Sequence, residues 1–149
     1  MRAGGILAVV AATVAACAAP GPRPVAFGAE LCSHCHMTVA DERFVAQLVT
    51  RTGKVLVYDD AGCLATALAK GTMAETQVHS LWVTDYFDPA ELLRAEDAWF
   101  VRSDAMHTPM ASGLAAVGSA TQADSLAAAL GGTILRWEAV LATSAGHGH

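Results

Sequence analysis

The chain has 149 residues, is 54% hydrophobic and carries a formal net charge of −5, which is enough for one compact domain or two very small units sharing a core. A mildly acidic surface of mixed sign, with no basic run, argues against nucleic acid and against electrostatic adhesion to anionic lipid. No Ser-His-Asp set, paired catalytic carboxylates or phosphate-cradling glycine loop stands out, so an enzyme is not expected.

The first segment reads as one to be removed before folding. Residues 6–16 are an apolar run of 11 with a single Thr, preceded by Arg2 as the only charge. That is too short to span a bilayer and is patterned as an export signal. Its end, Val14-Ala15-Ala16-Cys17, resembles the bacterial lipobox, which predicts cleavage of residues 1–16 and lipidation of Cys17. Loss of Arg2 takes the net charge from −5 to −6 over the remaining 133 residues, so membrane contact would come from acyl chains rather than protein charge. Residues 17–30, with three of the five prolines, read as an extended tether between lipid and domain.

Next comes Cys32-Ser33-His34-Cys35-His36-Met37, two thiols, two imidazoles and a thioether within six residues. Thiolate and thioether sulfur prefer Cu(I) to hard cations, and imidazole suits copper, zinc and iron. Two rivals share the spacing. Cys32-x-x-Cys35-His36 matches a haem c attachment site, with Met106 or Met110 as a distal ligand, and Cys32-x-x-Cys35 alone matches a redox dithiol. Against haem, everything after His36 is patterned as hairpins rather than helices. Against a thioredoxin-like dithiol, a Pro-rich tether precedes the motif where a central strand is needed. Zinc is disfavoured because no second pair at finger spacing follows. Of four cysteines, lipidation of Cys17 leaves Cys32, Cys35 and Cys63, so at least one thiol stays unpaired in the monomer. A Cys32–Cys35 disulfide in an oxidising compartment would compete with metal.

Residues 43–50 and 54–59 are β-rich around the turn Arg51-Thr52-Gly53 and predict a hairpin. Asp60 stands as an N-cap ahead of Leu64, Ala67 and Leu68 at helical spacing, and Gly71 ends the run. Cys63 falls in that helix's first turn, where the simplest role is a small buried hydrophobe facing the sheet. Residues 79–84 follow as a third strand. Asp88 and Pro89 then predict a short turn of helix through Arg94. The order repeats with strands at 98–102 and 114–118, a helix opened by Thr121 with Asp124 and closed by Gly131-Gly132, and a strand at 133–137. Trp82, Trp99 and Trp137 fall on predicted strands and are expected in the core. The second hairpin differs from the first in its connection, Ser103-Asp104-Ala105-Met106-His107-Thr108-Pro109-Met110-Ala111-Ser112-Gly113. A connection that long usually carries function, and Met106, His107 and Met110 are further soft donors. The ending Gly146-His147-Gly148-His149 is given no role.

Taken together and in order, Cys-x-x-Cys-x-Met, Arg43-Phe44-Val45-Ala46-Gln47, Gly53-Lys54-Val55, Tyr58-Asp59-Asp60-x-x-Cys63, Pro109-Met110 and Gly131-Gly132 resemble the NosL family, lipoprotein copper chaperones associated with nitrous oxide reductase maturation. The resemblance implies an α+β fold of two β-β-α-β units, similar in topology to the N-terminal part of organomercurial lyases, that binds Cu(I) and delivers it to an apo-enzyme. The ligand positions it implies are Cys35, Met37 and Met110, with Cys32 at a more variable position. His34, His36, Met106 and His107 are left open as further donors. It also implies a periplasm-facing lipoprotein, and Ala18 rather than Asp after the anchor favours the outer membrane. The expected division is a signal peptide at 1–16, a tether at 17–30, a copper-binding domain at 31–143 with units at about 31–86 and 96–140, and a flexible tail at 144–149. Two departures from the family pattern stand out: His36 replaces Gly between Cys and Met, and Ala111 replaces Gly after Pro-Met, which restricts the backbone at both places.

Overall fold

The structure is a computed structural model and describes residues 19–145; Cys17, residues 1–16, expected to be a signal peptide, and the His-containing ending lie outside the described residues. The first unit is built on a hairpin of β1 (Ala46–Thr50) and β2 (Val55–Tyr58), paired from Ala46↔Tyr58 to Val49↔Val55. Every residue of β1 is buried, because the strand is central and covered on both faces. Helix α1 (Ala61–Ala69) follows, with Asp60 Oδ1 accepting from the Cys63 N–H at 2.8 Å as its N-cap. A short 3₁₀ turn (Glu75–Gln77) leads into β3 (Val78–Thr84), which pairs antiparallel with β1, and β4 (Leu92–Arg94) adds to β3. The sheet order is β2-β1-β3-β4.

The second unit repeats the plan. β5 (Trp99–Arg102) is flanked by β6 (Leu114–Val117) and by β7 (Thr133–Leu135), giving the order β6-β5-β7, with α2 (Ala120–Leu130) between β6 and β7. Gly131 closes α2 in the left-handed conformation, φ 64°. Helix α3 (Trp137–Ala145) ends the described chain. The expected fold class holds: two small antiparallel sheets, each built β-β-α-β. The units meet through an Asp85↔Ala116 bridge and a core in which Leu48, Leu64, Phe100, Leu114 and Trp137 pack as one cluster. A smaller cluster around Phe44, Val101, Met106 and Leu126 fills the far face of the second sheet.

Several local expectations are corrected. Asp88 caps a tight turn, accepting from Ala90 N–H at 3.2 Å, but residues 92–94 continue as strand because β3 offers an open edge. The α2 cap is Ser119, which accepts from Gln122 N–H, rather than Thr121. Trp137 begins α3 instead of ending a strand; it is buried against Phe100, ring centroids 5.5 Å apart, and α3 carries residues 144 and 145 that were expected in the tail. Trp82 and Trp99 lie half-buried on strands, with Arg94 and Arg136 respectively stacked over their rings at 5.3 and 4.5 Å. The Pro-rich segment is also docked where described. Arg23 exchanges backbone hydrogen bonds with the buried Gln47 side chain (3.0 and 2.9 Å) and pairs with Glu30 at 2.6 Å. Among the described residues no helix is long and apolar enough to cross a membrane.

Candidate metal centre

The segment 30–39 folds back on itself as a narrow hairpin. Leu31 pairs with Thr38, Cys32 N–H donates to Met37 O at 2.8 Å, and Val39 N–H donates to Glu30 O at 2.9 Å. At the tip His36 N–H reaches Cys32 O at 3.0 Å, which requires His36 at φ 62°. Ser33 N–H donates to Val57 O at 2.8 Å and fastens the tip to the edge strand β2. Since β2 runs directly into α1, this seats both hairpin cysteines over the first turn of that helix, where Cys63 is the third residue.

The sulfurs of Cys32, Cys35 and Cys63 all lie within 4.8 Å of one another. With metal–thiolate bonds of about 2.3 Å, as for zinc, three sulfurs around one ion stand about 4 Å apart. The cluster therefore fits a single soft ion with little movement. Cys32 and Cys63 are buried and Cys35 is half-buried.

Electrostatics make the three thiols unequal. The Cys63 thiol donating to Cys32 lowers the Cys32 pKa, supported by the backbone N–H groups of Cys35, Asp59 and His34 against the cost of burial. Burial raises Cys35, and the hydrogen bond to Cys32 together with burial raises Cys63. The first proton thus leaves Cys32 and the group titrates as a unit. Metal would have to displace the others, which ties loading to pH. Burial, with the charge on Cys32 and Cys63, pushes Tyr58 up to about 12. Burial, with Cys32, Asp60 and Asp41, pushes Asp59 up to about 6. Asp59 Oδ1 is buried with no hydrogen-bond partner.

The second unit brings its long connection to the same place. Asp60 Oδ2 accepts from Ser112 Oγ at 2.9 Å and from Met110 N–H at 3.3 Å, while Oδ1 caps α1. One carboxylate thereby clasps both units. Gly62 permits the approach, because a Cβ there would lie 2.4 Å from Ser112 Cβ. The result is an open cleft of about 400 Å³ lined by His34, Cys63, Arg102, Met110 and Ser112 among others.

The predicted donors separate accordingly. Cys32 and Cys35 stand in the sulfur cluster, and Met110 shares the cleft with Cys63 and His34. Met37 is 53% and Met110 39% exposed, thioethers at the surface rather than in a core. Met106 is buried in the second cluster and His107 is exposed on the loop. The role given to Cys63, a buried hydrophobe, accounts for its burial and misses its sulfur neighbours. The signal was in the sequence: Asp60 as N-cap places residue 63 in the first turn, over the end of β2. The haem and dithiol alternatives lack their scaffolds. Cys32 has no accessible surface and faces Cys63, and the Cys32–Cys35 pair sits at a hairpin tip rather than at a helix start.

A family model described as NosL matches residues 24–145. The crystal structure of the copper chaperone NosL from Shewanella denitrificans is similar in fold, with a TM-score of 0.67 at 21% identity, covering 80% of this chain and 96% of that one. No curated protein matches the sequence significantly.

Proposed function

This chain belongs to the NosL family, and from that membership we propose that it is a metallochaperone that carries one Cu(I) as cargo and releases it to an apo-enzyme by ligand exchange. The observation that carries the proposal is the meeting of three cysteine sulfurs within 4.8 Å beside a cleft that holds Met110. Cys32, Cys35 and Cys63 supply the thiolates, and Met37 and Met110 offer weaker thioether donors at the surface. Exchange needs an ion that an incoming ligand can reach. A site with Cys35 half-open and two exposed thioethers offers that, whereas a closed four-thiolate cage would not.

The acceptor we propose is nitrous oxide reductase, on family grounds. We place the protein on the periplasmic side, held by lipid at Cys17 and on the outer rather than the inner membrane. Cys17→Ser protein should leave the membrane in a carbonate wash; its retention there would rule out lipid as the anchor.

The site is tested by anaerobic Cu(I) competition against bicinchoninate. Changing an outer-shell partner of a metal ligand costs about 10–100-fold in affinity, so Cys35→Ser should lose about 100-fold or more and Met110→Ala about 10-fold. Wild-type affinity in both would overturn the assignment.

A further inference from the structure

We propose that the site also generates its own cargo: Cys32 and Cys63 reduce aqueous cupric ion and close into a disulfide, while Cys35, Met37 and Met110 keep the cuprous product. The inference extends the copper-carrying proposal above and rests on it.

While all three thiols are reduced they share one Cu(I) as proposed above; once Cys32 and Cys63 are oxidised, Cys35 and the two thioethers remain to hold it, and the placement of the thiols divides them in the same way. Cys32 and Cys63 are 0% and 3% exposed, and their sulfurs lie within 4.8 Å of one another in the interior. Cys35 is the member in contact with solvent, two residues before the exposed Met37. An ion arriving from solution meets the half-exposed Cys35, or Met110 and the edge of Cys63 where they line the cleft, with Cys32 fully enclosed behind them. All three sulfurs lie within 4.8 Å of one another, close enough for Cys32 and Cys63 to pass electrons to an ion held on Cys35. Thioethers neither form disulfides nor need deprotonation, so Met37 and Met110 remain donors after the thiols behind them have been oxidised.

The balance is simple. Two cupric ions each take one electron and become cuprous; the Cys32 and Cys63 sulfurs give up those two electrons and join in one S–S bond, and the protons still held by Cys63 and by Cys35, which becomes the metal's thiolate, go to solvent. One cuprous ion stays on Cys35, Met37 and Met110, and the second leaves to a competing ligand. The new bond would tie the hairpin to the first turn of α1, beside the Ser33–Val57 hydrogen bond that already fastens the tip to β2.

The experiment uses the full chain, fully reduced, freed of reductant and kept anaerobic, titrated with copper(II) sulfate. Copper is followed by the paramagnetic resonance of Cu(II), by bicinchoninate for Cu(I), and by non-reducing peptide mapping after iodoacetamide. The expected result is two resonance-silent equivalents per chain, a visible signal from the third onward, a Cys32–Cys63 linked peptide, and Cys35 alkylated once copper is stripped. A visible signal from the first equivalent would overturn the proposal. A Cys32–Cys35 bridge, or an intermolecular bridge through Cys35, would overturn it equally. Cu(I) supplied directly under reductant separates the two proposals: failure to bind it sinks the chaperone reading, whereas binding without reduction of Cu(II) sinks only this one.

Discussion

The two β-β-α-β units share a strand order, β2-β1-β3 in one and β6-β5-β7 in the other, and divide the chemistry. The first holds the thiols, because the segment ahead of β1 folds over the β2–α1 junction and finds Cys63 there. The second has no cysteine and contributes a loop. Its hairpin connection spans residues 103–113, whereas the first needs only 51–54. A duplicated scaffold thus supplies a rigid base from one copy and a docked arm from the other. The arm is fastened at a single buried carboxylate, Asp60.

Breaking that fastening should separate the units' contributions most sharply. Asp60→Ala removes the α1 cap and leaves Met110 N–H and Ser112 Oγ without their acceptor, an expected loss of about 3 kcal/mol in urea unfolding. Asp60→Asn keeps an oxygen for Cys63 N–H but can present an amide to the loop. It should cost about 1–2 kcal/mol and bring Cu(I) affinity down towards that of Met110→Ala. Gly62→Ala pushes on Ser112 from the other side of the same contact and should cost about 1–3 kcal/mol. If Asp60→Asn left both stability and copper affinity unchanged, the arm would not be held by this clasp.

How far the sequence revealed this layout follows from which interactions are local. The strands, α1 and the stops at Gly71 and Gly131 were legible because caps, turn glycines and apolar spacing act within a few residues. The edge strand β4 was not, since the Asp88-Pro89 signal is genuine but governs only a turn, and the strand exists because β3 has a free edge. Trp137 misled because an aromatic beside Ile134 and Leu135 reads as strand, while its burial against Phe100 depends on a helix packing across α1. Around the sulfur cluster, Cys32 and Cys35 stand together as their spacing suggests, and loop length singled out the segment of Met110, whose place as a donor came from the family resemblance. Cys63 was not, because its neighbours come from a hairpin 31 residues away, a proximity that only the path of β2 into α1 creates.

Asp59 sharpens the comparison from inside the first unit. Its carboxyl keeps a proton up to about 6 in the folded protein, whereas an unfolded Asp releases it near pH 4. Between those values the native state binds more protons, so stability falls as pH rises through the window and the full penalty stands above it. Asp59→Asn should therefore gain about 1–2 kcal/mol at pH 7.5, the buried amide still lacking a partner, and nothing below about pH 4. Chemical unfolding of both proteins across pH 3.5–8 measures this. A constant difference over that range would show that the buried charge is not the cause.

The smallest effect tests one position in each unit. His36 and Ala111 have φ of 62° and 54° and are the non-glycine residues with positive φ among the described residues. They are also the two places where the chain departs from the glycine of the family pattern. His36 turns the hairpin tip between Cys35 and Met37, and Ala111 follows Met110 in the docked loop. A side chain in the left-handed region costs roughly 1–2 kcal/mol, while glycine gives part of that back through the greater freedom of the unfolded chain. His36→Gly and Ala111→Gly should each raise stability by about 0.5–1 kcal/mol, additively, because the two turns belong to different units. Copper separates them. If His36 serves only as a turn residue, both variants keep wild-type Cu(I) affinity. If the imidazole joins the sulfurs, His36→Gly alone loses affinity while still gaining stability, and His36→Asn, which tolerates the same backbone, loses it as well.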